Sequence, residues 1–133
     1  MLAGAEDGFI VKIADPPCPE EVTKHVDIIR LPFHRVFFGL LWFQRVIIHN
    51  KTSAPIIGPL ALVMDDLRNA VFIGSPLKTS CFSSSEDPFL IVPAGDDDVL
   101  AANESVLTVL WFAATPFDHI VYAPRLVSGV PPQ

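Results

Sequence analysis

At 133 residues, half of them apolar and 18% charged, the chain has the size and composition of one core-forming domain, which excludes two ordinary domains and disorder throughout. Its nine basic residues are scattered and outweighed to a net charge of −6, so no basic stripe exists to neutralise phosphates, and nucleic acid and anionic membrane surfaces are excluded as partners. A mean hydropathy of +0.44 is high for a free-standing domain: either the core is unusually rich or apolar surface is covered by something else.

From the N-terminus, Met1–Asp7 lacks the basic and apolar regions of a secretory leader. Gly8-Phe-Ile-Val-Lys-Ile13 has the composition of one short strand. In the following Asp15-Pro-Pro-Cys-Pro-Glu20, three prolines forbid helix and hold the chain extended. Residues 1–20 are therefore expected to be an extended tail on a proline hinge, and 21–133 the folded domain.

Beyond the hinge, prolines and glycines punctuate the chain, no long stretch has helical periodicity, and Val, Ile and Phe dominate the apolar residues. Strands are expected near 24–31, 41–49, 58–65, 70–74, 89–92, 105–113 and 119–127. Between them, 50–55, 83–88, 95–98 and 113–118 read as turns and loops, and 65–69 as a tight connection or a single helical turn. The apolar stretch 31–40 reads as loop-like, a corner of the core or part of an interface. The longest apolar run, Val36–Ile48, is broken by Gly39, Gln44 and Arg45 and falls short of the roughly 18 residues of a membrane span, so membrane insertion is not expected. The expected fold is all-β: an immunoglobulin-like antiparallel β-sandwich of about seven strands with an extra N-terminal extended segment.

Side chains alternate between the two faces of a strand. Alternation assigns Trp42, Gln44, Val46 and Ile48 to the inner face of one strand, and Val106, Thr108, Leu110 and Phe112 to that of another. The outer faces then carry Phe43 and Ile47 in the first, and Leu107, Val109 and Trp111 in the second. A strand with one wet face should be polar there. Either these five residues form a subunit interface, or the tail folds back over them, or the register is shifted by one and they point inward. Phe9, Ile10, Val11 and Ile13 complete the candidate assembly set: an extended apolar segment can add a strand to a neighbour's sheet edge. A head-to-tail contact of that kind builds open filaments, so a homo-oligomer or polymer is the expected partner.

Catalytic and metal signatures are not evident. His25, His34, His49 and His119 lack metal-ligand spacing, Asp96-Asp-Asp98 departs from a calcium-loop pattern, and neither a nucleophile elbow nor a glycine-rich phosphate loop occurs. No enzyme and no cofactor is expected. Trp42, Trp111 and Tyr122 could form a stacking platform for a polysaccharide, or pack in a core or interface. Cys18 and Cys81 fit no zinc or redox pattern; they are either free thiols or, in an oxidising compartment, a bridge. Asn50 and Asn103 each open a formal N-glycosylation triplet.

The stretch Val46–Leu67, with Ile56-Ile-Gly-Pro-Leu-Ala-Leu-Val-Met-Asp-Asp-Leu67 at its end, resembles a bacterial extracellular module of immunoglobulin-like or fibronectin-type-III-like character. Thr79-Ser-Cys81, Asp87-Pro-Phe89, Asp98-Val-Leu100, Glu104-Ser-Val106, Phe112 and Ile120–Gly129 continue the likeness, which covers 22–129. Ala102-Asn103 stands where the module usually has Pro-Gly, the tail is not part of it, and several strand positions usually polar are apolar here. The resemblance implies export to the cell surface or outside it, no catalytic residues, and a role in adhesion, spacing or assembly.

Overall fold

Pairing in this chain is dominated by two long, uncharged or weakly charged stretches, Leu41–Asn50 and Ser105–Ala113, which lie antiparallel over nine consecutive residue pairs from Leu41↔Ala113 to His49↔Ser105. The computed structural model describes residues 17–36, 39–83, 86–95, 97–115 and 119–133. In chain order its strands are β1 (Glu20–Glu21), β2 (Val26–Arg30), β3 (His34–Val36), β4 (Leu41–Asn50), β5 (Ile56–Ile57), β6 (Leu60–Arg68), β7 (Val71–Phe72), β8 (Lys78–Thr79), β9 (Asp87–Val92), β10 (Val99–Leu100), β11 (Ser105–Ala113) and β12 (Val121–Ser128). One 3₁₀ turn, Thr23–His25, joins β1 to β2. The protein is all-β, with no α-helix among the described residues.

The strands form two main antiparallel sheets. The first has the order β1-β12-β6-β9-β8; the second has the order β2-β4-β11-β7, with β3 also paired to β4. A small β5–β10 pair completes the set. The inner faces share one core. Val46 and Ile48 from β4 and Leu110 and Phe112 from β11 meet Leu60, Leu62 and Met64 from β6, Val92 from β9, and Tyr122 and Leu126 from β12. Burying each of the larger side chains is worth about 1.5–3 kcal/mol, so this shared core is what holds the sheets together.

Each strand position expected beyond the hinge carries a strand, and the differences are local; the short strand expected at Gly8–Ile13 lies outside the described residues. The stretch 65–69 is not a connection: β6 continues to Arg68, still paired with Val121. Positive φ at Asp66 (54°) and Asn69 (68°), with a register shift between Val121 and Ala123, absorbs the irregularity as a bulge. Residues 34–36 are strand, not loop, and Leu31 keeps the edge in register by donating its N–H to the Arg45 carbonyl at 3.0 Å. The folded body also begins before residue 21. Glu20 pairs with Ser128, Pro19 packs against Gly129, and Cys18 is bonded to Cys81.

β6 is buried on both faces, and Leu60–Met64 are all fully enclosed. Its inner residues enter the main core. On the outer face, Ala61 and Val63 join Phe89 and Val127 in a second cluster capped by Leu77 and Phe82. The segment 77–83 is therefore a strap over the outer face of the first sheet, tied down by the Cys18–Cys81 bridge. Arg125 reinforces it, with its guanidinium 5.4 Å from the Phe82 ring centre and ion-paired to Asp65 (2.8 Å) and Glu21 (3.0 Å).

Candidate interaction face

The outer face of the second sheet is built from residue rows that cross its strands. Ile29, Ile47 and Leu107 lie side by side on β2, β4 and β11. Arg45 and Val109 form the next row, and His34, Phe43 and Trp111 the third. Ile29 is 46% exposed, Leu107 56% and Val109 37%, while Phe43, Ile47 and Trp111 are half-buried by their neighbours. The Phe43 and Trp111 rings meet at 5.1 Å, the His34 ring stacks on Phe43 at 5.1 Å, and the Arg45 guanidinium lies 5.2 Å from the Phe43 ring centre.

Five of the candidate assembly residues, Phe43, Ile47, Leu107, Val109 and Trp111, thus fall on one continuous face. Sequence reasoning missed Ile29, although alternation within β2 carries the signal, and Ile73, which is 49% exposed and donates its N–H to the Trp111 carbonyl at 3.0 Å. Phe9, Ile10, Val11 and Ile13 lie outside the described residues. The two sheets differ in how their outer faces end. The first is roofed by the 77–83 strap, whereas no described segment crosses the second.

The opposite faces of the same strands explain why the outer residues cannot simply turn inward. Val46, Ile48, Leu110 and Phe112 fill the core, and Gln44 and Thr108 are buried beside them. Gln44 is held at both ends: its Nε2 donates to the Leu31 carbonyl at 2.9 Å, and its Oε1 accepts from the Tyr122 hydroxyl. Burial pushes the Tyr122 phenol up to about 12, against the opposing pull of Arg30, so it remains a hydrogen-bond donor at neutral pH. Tyr122 and Trp42 therefore belong to the inner side and Trp111 to the outer side. The three do not form one stacking platform.

Cys18 and Cys81 are bonded to each other. Asn50 is a correction to the glycosylation reading. Its side chain is fully buried, with Nδ2 donating to the carbonyls of Ala54 (2.9 Å), Leu100 (3.0 Å) and Ala101 (3.1 Å), so the folded domain offers no free amide there. Asn103 sits exposed in a turn at φ 62°.

A surface cleft of about 460 Å³ lies elsewhere, lined by Asp66, Phe72, Lys78, Glu86 and Asp87 among others. Asp87 is buried and accepts hydrogen bonds from the Ser83 hydroxyl (2.9 Å) and the Asp66 N–H (3.4 Å). Burial pushes its carboxyl above the usual 3.8, and the neighbouring Asp65 adds to the rise. The folded state therefore holds this proton more tightly than the unfolded chain, and Asp87 costs stability as pH climbs from 3.8 through its raised value. Asp87→Asn keeps an acceptor and offers an N–H to Asp65. Its urea midpoint should exceed wild type at pH 7, and the difference should vanish toward pH 3. A lower midpoint for the variant at pH 7 would contradict this assignment.

No cluster of three His, Cys, Asp or Glu side chains suited to a metal occurs among the described residues, and no described helix is long and apolar enough to cross a membrane. No family model, no curated protein and no solved structure matches this chain.

Proposed function

We propose that the chain is an immunoglobulin-like sandwich serving as an exported, non-enzymatic structural subunit that associates with copies of itself through the uncovered face of its second sheet. The observation that carries the reading is the contrast between the two outer faces. One is covered by a strap and a disulfide that leave Ile91 at its margin at 36% exposure, and the other presents Ile29, Leu107 and Val109 to solvent beside Phe43 and Trp111. The bridge fits an oxidising, extracellular setting.

Area limits what this face can do alone. Three strands at ~4.8 Å spacing and about seven residues of length give a footprint of roughly 300 Å². Even doubled for surface relief, this is below the ~800 Å² per partner of a standard stable interface. A lasting assembly therefore needs a second contact, and the apolar tail at Phe9–Ile13 is suited to provide it by strand addition.

The test is mass in solution. Wild type should sediment as particles larger than 14.6 kDa in a concentration-dependent way, and Leu107→Lys, at an exposed position, should return it to 14.6 kDa without lowering its melting temperature. Wild type remaining at 14.6 kDa at every concentration would overturn the reading. A monomer retained on polysaccharide, with retention lost in Trp111→Ala, would favour a carbohydrate-binding or adhesion module in its place.

A further inference from the structure

Resting on that self-association reading, we infer that the open edge of β11 is the acceptor for the tail, and that it takes Phe9–Ile13 of a second copy as an added antiparallel strand. The backbone phase of β11 is fixed by two bonds. Asn50 donates to the Glu104 carbonyl at 2.9 Å, so the even-numbered residues of β11 face β4. Ile73 donates to the Trp111 carbonyl, so the odd-numbered residues point their N–H and C=O groups the other way. On that side β7 pairs only with Phe112 and Ala113, and the chain turns away at Gly74-Ser75-Pro76. Among the described residues, no strand pairs with Ser105–Leu110 along this edge.

The other long edges are guarded and this one is not. Along β12, Pro124 has no N–H, the Leu126 N–H donates to the Thr23 hydroxyl (3.0 Å), the Leu126 carbonyl accepts from Val22 (2.7 Å), and the Tyr122 carbonyl accepts from Arg30 (2.9 Å). The β2–β3 edge is interrupted by Pro32 and carries Asp27, Arg30 and Arg35. Pro88 and Pro93 bracket the free part of β9. Proline and charge are the usual devices against edge-to-edge pairing. Ser105–Leu110 has neither, and two of its outward residues, Leu107 and Val109, are exposed aliphatics.

The occupant follows from length, pattern and reach. Phe9–Ile13 matches the five residues Val106–Leu110 and stops short of Trp111, whose carbonyl is taken by Ile73. Added in line with β7, with Ile10 opposite Val109 and Lys12 opposite Leu107, it places Phe9, Val11 and Ile13 in the row of Leu110, Thr108 and Val106. Lys12 then stays on the wet side. On the self-association reading the donor is the tail of a second copy. A tail donor and an edge acceptor are different surfaces, so their contact is heterologous, and it propagates as an open chain of subunits unless it closes into a ring.

The experiment uses the full chain, following sedimentation and amide hydrogen exchange across a concentration series. Wild type should form particles above 14.6 kDa, with exchange at the Leu107 and Val109 amides slowed by about tenfold or more as they form. Ile10→Pro should abolish both effects while leaving the unfolding midpoint of the dilute protein unchanged. Val109→Pro, which removes an N–H that β4 does not use, should do the same from the acceptor side. Particles dispersed by Leu107→Lys but indifferent to Ile10→Pro, with exchange at Leu107 and Val109 independent of concentration, would overturn this docking and leave the apolar-face reading standing. Wild type at 14.6 kDa throughout would remove both. Protection of the same amides at infinite dilution, lost in Ile10→Pro, would show the edge filled by the chain's own tail and overturn the second-copy assignment.

Discussion

Replacing Cys81 with Ser is expected to lower the unfolding free energy by roughly 4 kcal/mol, the loop-closure term for a bridge of this span. The bridge joins positions 63 residues apart, so it constrains nearly half of the unfolded chain. For a domain of this size the loss corresponds to a drop of melting temperature on the order of 15 °C. Its structural consequence should be confined. Without the bond, the 77–83 strap is still held by the β8–β9 pairing, by the Phe89 N–H to the Leu77 carbonyl (3.0 Å), by the Ser83 hydroxyl to Asp87 (2.9 Å), and by the Leu77, Phe82 and Arg125 contacts, so it loosens without detaching. Amides along the outer row of the first sheet should therefore lose protection before those of β4 and β11. The single variant and the Cys18→Ser/Cys81→Ser double variant should melt together, because the effect belongs to the bond and not to either thiol. Denaturant titration measures the loss, and thiol counting on the unfolded, unreduced wild type should find none. Two titratable thiols with a loss below about 1 kcal/mol would show that the bridge does not form.

The strap also shows where local sequence stops being informative. β4 and β11 are legible because each has one dry and one less dry face. Alternation separates Gln44, Val46 and Ile48 from Phe43, Arg45 and Ile47, and Thr108, Leu110 and Phe112 from Leu107, Val109 and Trp111; the structure places all twelve accordingly. In Leu60–Met64 both faces are covered, so the run is apolar throughout and alternation carries no signal. What covers the second face is a segment about fifteen residues further on, and its only sequence trace is Cys81. Edges are equally non-local. Nothing within Ser105–Leu110 says that β7 stops two pairs in; that depends on Gly74 and Pro76 turning a different part of the chain away. Misreading 65–69 has the same cause: two aspartates and an asparagine are turn-forming residues, and only pairing with β12 keeps them in a bulged strand.

Asn50→Ala should be nearly as damaging as loss of the disulfide, at about 3–4 kcal/mol, although Asn50 looks in sequence like an ordinary turn residue. Asn50 closes β4 and joins three separate pieces of chain. Its backbone N–H reaches the Glu104 carbonyl at 2.9 Å, and its carbonyl accepts from Asn103 at the same distance. Its side chain donates to Ala54, Leu100 and Ala101, while Oδ1 accepts from the Thr52 N–H (3.0 Å) and hydroxyl (2.7 Å). Truncation leaves the carbonyls of Leu100 and Ala101 without the donor that satisfies them, and an orphaned buried polar group costs about 1–3 kcal/mol. Loosening of the 51–55 loop accounts for the remainder. Asn50→Asp separates hydrogen bonding from shape. The isosteric carboxylate keeps the Thr52 acceptor but faces three carbonyl oxygens, so at pH 7 it should be at least as destabilising as alanine. Protonation supplies one donor, and burial against carbonyls raises the folded-state pKa of the carboxyl, so Asn50→Asp should regain stability relative to wild type as pH falls through that raised value toward the ordinary aspartate range, while Asn50→Ala should not. Urea denaturation of the two variants at pH 7 and pH 4 measures both effects. An alanine variant within about 1 kcal/mol of wild type would mean that water replaces the amide and that the corner is not sealed.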